Sequence, residues 1–365
     1  MFLVVTRNFP PDLGGIQILM EGLSQSLLNH GPVKVFTYDH QNSKEYDKKS
    51  PVDIQRVGGF KIFKKFRKAN LVNDFINSNS NIRAVITDHW KSLELIKTEY
   101  LKKTKSFCLI HSKEINHEIN SSLNKRLIKS TNKADYIIAN SKFTKELGIK
   151  IGIEPSKINI IYPGIKKPKK IENLDKVEAE KYFGDSFPKI ITVSRLDKRK
   201  GHDKILMTIK NLKVKFPNIK YISVGFGKEE SNLLKLSKEL DIEKNVIFLK
   251  DINFNLKTSL IGESNLFLMP SRIEKKSVEG FGISFIEAAS YGIGSIGGKD
   301  GGASDAISHK ETGFICDGND LNSIYESVIN FFQNENYIKF GKNAKKFSEK
   351  FYWEKTIKNY LELIN

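Results

Sequence analysis

LFLMPSRIEKKSVEGFGISFIEAASYG, Leu266–Gly292, carries the pattern on which the fold turns. Its first four residues, Leu266–Met269, are an uninterrupted apolar run and read as a strand buried on both faces. A polar loop follows, and ISFIEAAS then opens as a helix directly behind Gly280, Phe281 and Gly282. Glu279 falls on the loop and Glu287 eight positions later, about one and a half turns inside the helix. Two carboxylates so spaced can meet different parts of one elongated polar ligand, while free amides near Phe281–Ile283 address oxygens between them. The plainer alternative is an amphipathic helix with two surface glutamates.

The same strand-then-helix rhythm repeats in both directions along the chain, the signature of parallel βαβ units. In the first half the strand candidates are Leu3–Thr6, Val33–Tyr38, Ala84–Thr87, Phe107–His111, Tyr136–Asn140 and Ile158–Tyr162. In the second they are Ile190–Ser194, Tyr221–Val224, Val246–Leu249, Leu266–Met269, Gly294–Ile296 and Gly313–Cys316. With 365 residues, too many for one comfortable core, the expectation is an α/β chain of two doubly wound domains. The rhythm breaks at KKPKK, which places the first domain at 1–170 and the second at 171–345, with a terminal helix over 346–365.

Composition narrows the classes. The chain is 39% hydrophobic and 28% charged, with no apolar run approaching the roughly 18 residues of a membrane span. Integral membrane and largely disordered proteins are excluded. The opening MFLVVTR reads as a first strand rather than a signal-peptide core. Only Cys108 and Cys316 are present, so disulfides are not the stabilising principle and the reducing cytoplasm is the expected compartment. Net charge is +18, and residues 1–170 hold 30 of the 60 basic but only 15 of the 42 acidic residues. That imbalance calls for an anionic partner on the first half, whether nucleic acid, acidic lipid or phosphorylated substrate.

Ligands of open parallel sheets bind beyond strand carboxyl ends, and two further segments meet that condition. FPPDLGGIQ (Phe9–Gln17) follows the first strand, and Gly14 with Gly15 lets backbone approach an anion at a helix N-terminus; the alternative is a plain turn. SRLDKRKG (Ser194–Gly201) offers Arg195 as a planar fork and Lys200 as a point charge, together able to clamp a diphosphate. Standing alone it would read as a solvated basic loop. No GxGxxG or GxxxxGK[ST] loop accompanies these segments, which disfavours a nicotinamide dehydrogenase and a P-loop nucleotidase. HSKEINHE offers His111, Glu114, His117 and Glu118 as a conceivable metal cluster but lacks the HExxH spacing.

In this order the segments resemble the GT-B-fold, retaining glycosyltransferases of family 4 (glycosyltransferase group 1), bacterial lipid mannosyl- and hexosyltransferases among them. The likeness runs through FPPDLGG, HSKE (His111–Glu114), ADYIIANSKFTKE (Ala134–Glu146), INIIYPG (Ile158–Gly164), TVSRLDKRKGHDKIL (Thr192–Leu206), MPSR, EGFGISFIEAASYG, GGASDAI (Gly301–Ile307) and ETGFICDGND (Glu311–Asp320). It implies two Rossmann-like parallel-sheet domains facing across a cleft, the first binding acceptor and the second the nucleotide sugar. It implies further that Gly14 and Gly15 approach the donor phosphate and that Arg195 and Lys200 bind the diphosphate. Glu279 would sit by the transferred sugar, with Gly280, Phe281, Gly282 and Ile283 presenting amides, and Glu287 would hold the ribose. His111 matches the family's active-site histidine, and the terminal helix with Trp353 matches one that crosses back to the first domain. Gln17 stands where many members have glutamate, and YPG replaces the usual PNG.

Retention of configuration is implied by the family. No metal or other cofactor is expected, because fixed cations and helix dipoles can carry the leaving diphosphate's charge and no Asp-X-Asp occurs. FKIFKKFRKAN interleaves Phe60, Phe63 and Phe66 with Lys61, Lys64, Lys65, Arg67 and Lys68, a pattern suited to an anionic membrane interface. A surface helix with its aromatics in the core is the alternative. Asp88, His89 and Trp90 also follow a strand and could line an acceptor pocket; a packed tryptophan with a capping aspartate is the blander reading. The expectation is a hexosyltransferase acting on a lipid, lipid-linked or polysaccharide acceptor for the cell envelope, peripheral at the cytoplasmic face of the membrane, with no nucleic-acid partner since no recognition element accompanies the charge. Alternatives are a soluble enzyme glycosylating a small molecule or glucan, a nucleotide-sugar epimerase, and a non-catalytic binding protein.

Overall fold

A parallel strand covered on both faces needs apolar residues at successive positions, not alternate ones. The sequence supplies such runs, and in a computed structural model of the chain, which describes all residues but Leu13 and the Lys61 side chain, they form two all-parallel sheets. The first contains β1 (Phe2–Val5), β2 (Val33–Tyr38), β3 (Asp53–Val57), β4 (Ala84–Thr87), β5 (Lys105–Ile110), β6 (Tyr136–Ala139) and β7 (Ile158–Ile160) in the order β3-β2-β1-β4-β5-β6-β7. The second contains β8 (Lys189–Val193), β9 (Lys220–Val224), β10 (Val246–Leu249), β11 (Leu266–Met269), β12 (Ser295–Gly298) and β13 (Gly313–Cys316) in the order β10-β9-β8-β11-β12-β13. The expected pair of doubly wound α/β domains is thus present. β3, whose polar DIQRV sequence makes no apolar run, is an edge strand bonded to β2 alone, half-buried except for the exposed Asp53 and the buried Val57.

Strand order reverses between β1 and β4 in the first sheet and between β8 and β11 in the second. At such switch points the loops diverge to opposite faces and leave a crevice at the strand carboxyl ends. The segments that follow β1, β4, β8 and β11 are FPPDLGG, Asp88–Trp90, SRLDKRKG and the Glu279 loop. Every motif read as ligand-binding except His111, which follows β5, therefore sits at a switch point.

The first unit comprises Met1–Lys166 and Phe351–Asn365, the second Lys167–Lys350. The terminal helix, Trp353–Ile364, belongs to the first because its Trp353, Ile357, Tyr360 and Ile364 share a core with Leu19, Met20, Leu23 and Leu27 of the Gly15–Leu28 helix. Two glycines make room for Trp353: a Cβ on Gly22 would fall 2.2 Å from its Nε1, and one on Gly164 2.4 Å from its Cδ2. Among the described residues no helix is long and apolar enough to cross a membrane.

Candidate functional site

In the second unit, β8 runs into a single 3-10 turn, Lys198–Lys200, and then through Gly201 into the His202–Leu212 helix. Gly201 has φ 79°, and a Cβ there would lie 2.5 Å from the Pro270 carbonyl, so only glycine lets this turn press against the loop after β11. The two loops are also latched: Arg272 N donates to Arg199 O at 2.9 Å, and the Arg272 guanidinium forms a two-pronged pair with Asp203 at 3.0 and 2.9 Å. A buried network supports them from below. Ser194 Oγ and Tyr221 OH lie 3.0 and 2.9 Å from the ring nitrogens of His202, and Tyr221 OH donates to Thr192 Oγ1 at 3.0 Å. Burial holds the His202 pKa down at about 4, so the ring is neutral.

This packing brings Lys200, Arg199 and Glu279 together. Lys200 Nζ and Arg199 Nη1 both donate to Glu279 Oε2, the second at 2.6 Å, and all three side chains are almost wholly enclosed. Burial by itself would raise the Glu279 pKa; Lys200 and Arg199 more than reverse that and hold it at about 2. Burial lowers the Lys200 pKa, against the attraction of Glu279. Two cations share one carboxylate, leaving a buried net charge of +1. The Glu279 backbone is fixed as well, its carbonyl accepting from Gly302 N at 2.8 Å. Gly282, at φ 88°, starts the Ile283–Ser290 helix without a side chain to cap its first amides. Glu287 lies one turn inside that helix, partly exposed and 3.9 Å from Lys257.

Arg199 is absent from the sequence expectations; in the run of three basic residues Lys198–Lys200 nothing local marks it as turning inward beside Lys200. Arg195, expected beside Lys200, projects into solvent and pairs with Asp197 at 3.2 Å, yet it remains close enough for its charge to act on Lys200.

In the first unit, a Cβ on Gly15 would meet nothing within 4 Å, whereas one on Gly14 would lie 2.5 Å from Gln17 Oε1. Gln17, the departure from the family pattern, donates from Nε2 to Asp12 Oδ2 at 2.8 Å, a bond no glutamate could make. After β4, Asp88 accepts from Thr6 Oγ1 and Arg7 N at 2.9 Å and from Ser92 Oγ at 2.6 Å. His111 Nε2 donates to Asp88 O at 2.9 Å. Glu114 Oε1 accepts from His111 N, and Ser112 beside it has φ 92°.

Trp90 is 0% exposed, its Nε1 donating to Glu114 O at 3.0 Å; its ring is core and lines no acceptor pocket, because the short helix it opens packs beneath the sheet. His89 is also buried, and burial with the charges of Arg7 and His111 drives its pKa to about 2. Lys68 also departs from the expectation. It faces inward, 4% exposed, and does not belong to the cationic surface expected for FKIFKKFRKAN. The aromatics of that segment are instead solvent-facing: Phe60, Ile62, Phe63 and Phe66 are 84%, 75%, 65% and 47% exposed, with Lys65 and Arg67 exposed among them. The core-facing alternative is excluded. The Lys61 side chain lies outside the described residues.

Residues 175–347 match the glycosyl transferases group 1 family and residues 13–167 match glycosyltransferase family 4. The chain is 24% identical over 341 residues, 89% of its length and 87% of the relative's, to a GDP-mannose-dependent alpha-(1-6)-phosphatidylinositol monomannoside mannosyltransferase of Mycolicibacterium smegmatis. The GDP-mannose-dependent monoacylated alpha-(1-6)-phosphatidylinositol monomannoside mannosyltransferase of Corynebacterium glutamicum is likewise 24% identical, over 90% of this chain and 87% of its own. Among solved structures, Anabaena HepE in complex with UDP superposes with a TM-score of 0.82 at 16% identity, covering 99% of this chain and 98% of that one.

Proposed function

The chain belongs to the family 4 glycosyltransferases of GT-B fold, enzymes that move a sugar from a nucleotide-sugar donor, and we propose that it transfers a hexose, from GDP-mannose or a UDP-hexose, to a lipid or lipid-linked acceptor with retention at the anomeric carbon. The observation that carries this reading is the buried Lys200–Arg199–Glu279 cluster at the second sheet's switch point, with Glu287 one helical turn beyond. Breaking the anomeric C–O bond leaves negative charge on the diphosphate and oxocarbenium character on the sugar. A cluster with one cation in excess, desolvated and already fixed, stabilises that leaving group at little cost in reorganisation. Lys200 and Arg195 bind the diphosphate, Glu279 lies by the sugar, Gly280–Ile283 present amides to its oxygens, and Glu287 takes the ribose hydroxyls.

Gly14 and Gly15 offer helix N-terminal amides to the donor phosphate, and His111 acts beside the sugar and the acceptor hydroxyl. That hydroxyl attacks from the face the diphosphate leaves, and a departing phosphate oxygen takes its proton, which retains the configuration without a metal. GDP-mannose is the first donor to test because both curated relatives are named for it. The exposed Phe60–Phe66 surface supports a peripheral position on an anionic membrane, where such an acceptor is met.

The deciding measurement is thermal denaturation with GDP-mannose, UDP-glucose, UDP-galactose, UDP-N-acetylglucosamine and UDP-glucuronate in turn, in buffer containing EDTA. One donor should raise the melting temperature, and NMR of its transfer product should show the donor's own anomeric configuration. An inverted product would refute the retaining reading; no response to any donor would refute the site.

A further inference from the structure

The first unit contains a small pocket at the carboxyl ends of β1, β2 and β4, joined to His111 through Asp88, which Ser92 and His111 both bond. Its walls are Lys65, Lys68, Lys91, Tyr38 and Ser92, and its floor is apolar, with Val5 at its base. Lys68 is the unusual member. Its ammonium is buried, lies 4.1 Å from the centre of the Tyr38 ring and donates to Thr6 O at 2.6 Å. An ammonium has three N–H donors, and among the described residues no second acceptor serves it.

A buried cation is costly without an opposite charge in direct contact, and among the described residues no carboxylate touches Lys68. Asp88 attracts Lys68 without bonding it, its carboxylate oxygens accepting instead from the neutral donors Thr6 Oγ1, Arg7 N and Ser92 Oγ. Glu94, which attracts Lys91, is bound at both oxygens by Arg126, at 2.8 and 3.0 Å. On the other side of the balance, Arg7 repels both Lys68 and Lys91, Lys64 repels Lys68, and Lys65 repels Lys91. Burial foremost, with those repulsions added, holds the Lys68 pKa down at about 8. Three lysines, Lys65, Lys68 and Lys91, therefore line one small cavity, with Asp88 acting on Lys68 from a distance and the Glu94 carboxylate paired with Arg126.

We propose that this pocket binds a phosphate ester carried by the acceptor, the anion completing the hydrogen bonds of Lys68 and neutralising Lys65 and Lys91. The assignment rests on the glycosyl-transfer reading and adds to it the chemical class of the acceptor. Lys65 and Lys68 share a helix with Phe63 and Phe66, so an ester held here would lie next to the exposed aromatic surface.

The test uses the full chain with inositol 1-phosphate, inositol, and phosphatidylcholine vesicles with and without phosphatidylinositol, comparing wild type with Lys68→Met and Lys91→Gln. Inositol 1-phosphate should bind and inositol should not, and either substitution should weaken the phosphate-dependent binding by about tenfold or more, the scale of a charge-assisted contact. Loss of both the soluble ester and the phosphatidylinositol vesicles identifies a lipid headgroup; loss of the soluble ester alone identifies a water-soluble phosphorylated acceptor. Inositol 1-phosphate binding no better than inositol, or binding unchanged by Lys91→Gln, overturns the proposal. Lys91 is surface-exposed, so that variant serves even if Lys68→Met fails to fold. The donor-induced thermal shift should be the same in both variants. Its absence in wild type would instead reject the donor site and leave the pocket to be judged on the phosphate data.

Discussion

Arg199 Nη1 donates to Glu279 Oε2 at 2.6 Å, from a side chain as enclosed as that of Lys200 bound to the same oxygen. The three groups form a triad with one charge in excess, and its members are not equivalent. Glu279→Gln strands two buried cations and should cost about 3–5 kcal/mol. Arg199→Met leaves a balanced Lys200–Glu279 pair and should cost about 1 kcal/mol or less. Both tryptophans, Trp90 and Trp353, lie in the first unit, so calorimetry rather than fluorescence is the measurement for the second. Equal melting temperatures for the two variants would contradict the triad.

The same carboxylate sets an acid dependence. Its folded pKa, about 2, is below the ordinary 4.5, so the stability it contributes is complete above about 4.5 and is lost as pH falls through the folded value. A shift of that size corresponds to about 3 kcal/mol. The calorimetric transition of the second unit should fall steeply between pH 4.5 and 2 in wild type and less steeply in Glu279→Gln. Parallel curves would place the acid sensitivity elsewhere.

Trp353 is held between Gly22 and Gly164, where an added methyl would sit 2.2 to 2.4 Å from its ring. Gly22→Ala and Gly164→Ala should each cost about 1–3 kcal/mol by overpacking, lower the midpoint of fluorescence-monitored urea unfolding, and leave the second unit's transition unchanged. Combining Gly22→Ala with Trp353→Ala should cost less than the sum of the two single changes, since the clash disappears with the ring. Additive costs would argue that the ring shifts freely.

Among the described residues twelve of the thirteen strands are legible as apolar runs; β3 is not, because Asp53, Gln55 and Arg56 interrupt its apolar residues and Arg56 pairs instead with Asp47. The site was legible where glycine and carboxylate spacing is demanding, as at Gly280–Glu287. It was not legible where orientation decides. In SRLDKRKG the single 3-10 turn ending at Gly201 carries Arg199 inward and leaves Arg195 in solvent, and no one-dimensional pattern distinguishes two arginines four positions apart. The orientation of Lys68 is hidden for a related reason. Its helix position looks cationic and exposed, but Tyr38 at the end of β2 and Thr6 O just after β1, which receive it, are far away in sequence.

The proposed roles separate kinetically. Lys200→Ala and Glu287→Ala remove contacts to the donor's diphosphate and ribose and should raise the Kd for the donor about tenfold or more. His111→Ala should leave that Kd within about twofold and lower kcat by about a hundredfold or more, the scale of a lost group acting in the transition state. Donor titration calorimetry beside initial rates distinguishes them. Unchanged donor affinity in Lys200→Ala and Glu287→Ala would overturn the assignment.

The exposed Phe60, Ile62, Phe63 and Phe66 cover the start of the Lys61–Ser78 helix, with Lys65 and Arg67 among them. On anionic vesicles the aromatics should contribute an apolar, salt-independent term and the cations a screened one of about 1 kcal/mol each. Phe63→Ser with Phe66→Ser should therefore reduce sedimentation with phosphatidylglycerol vesicles at both low and high salt, whereas Lys65→Gln with Arg67→Gln should reduce it at low salt only. Both pairs lie on a solvent-facing surface, so neither should alter the urea midpoint of the first unit. Sedimentation equal to wild type in the phenylalanine pair would remove the aromatic surface from membrane binding and leave its exposure to be explained by a protein partner.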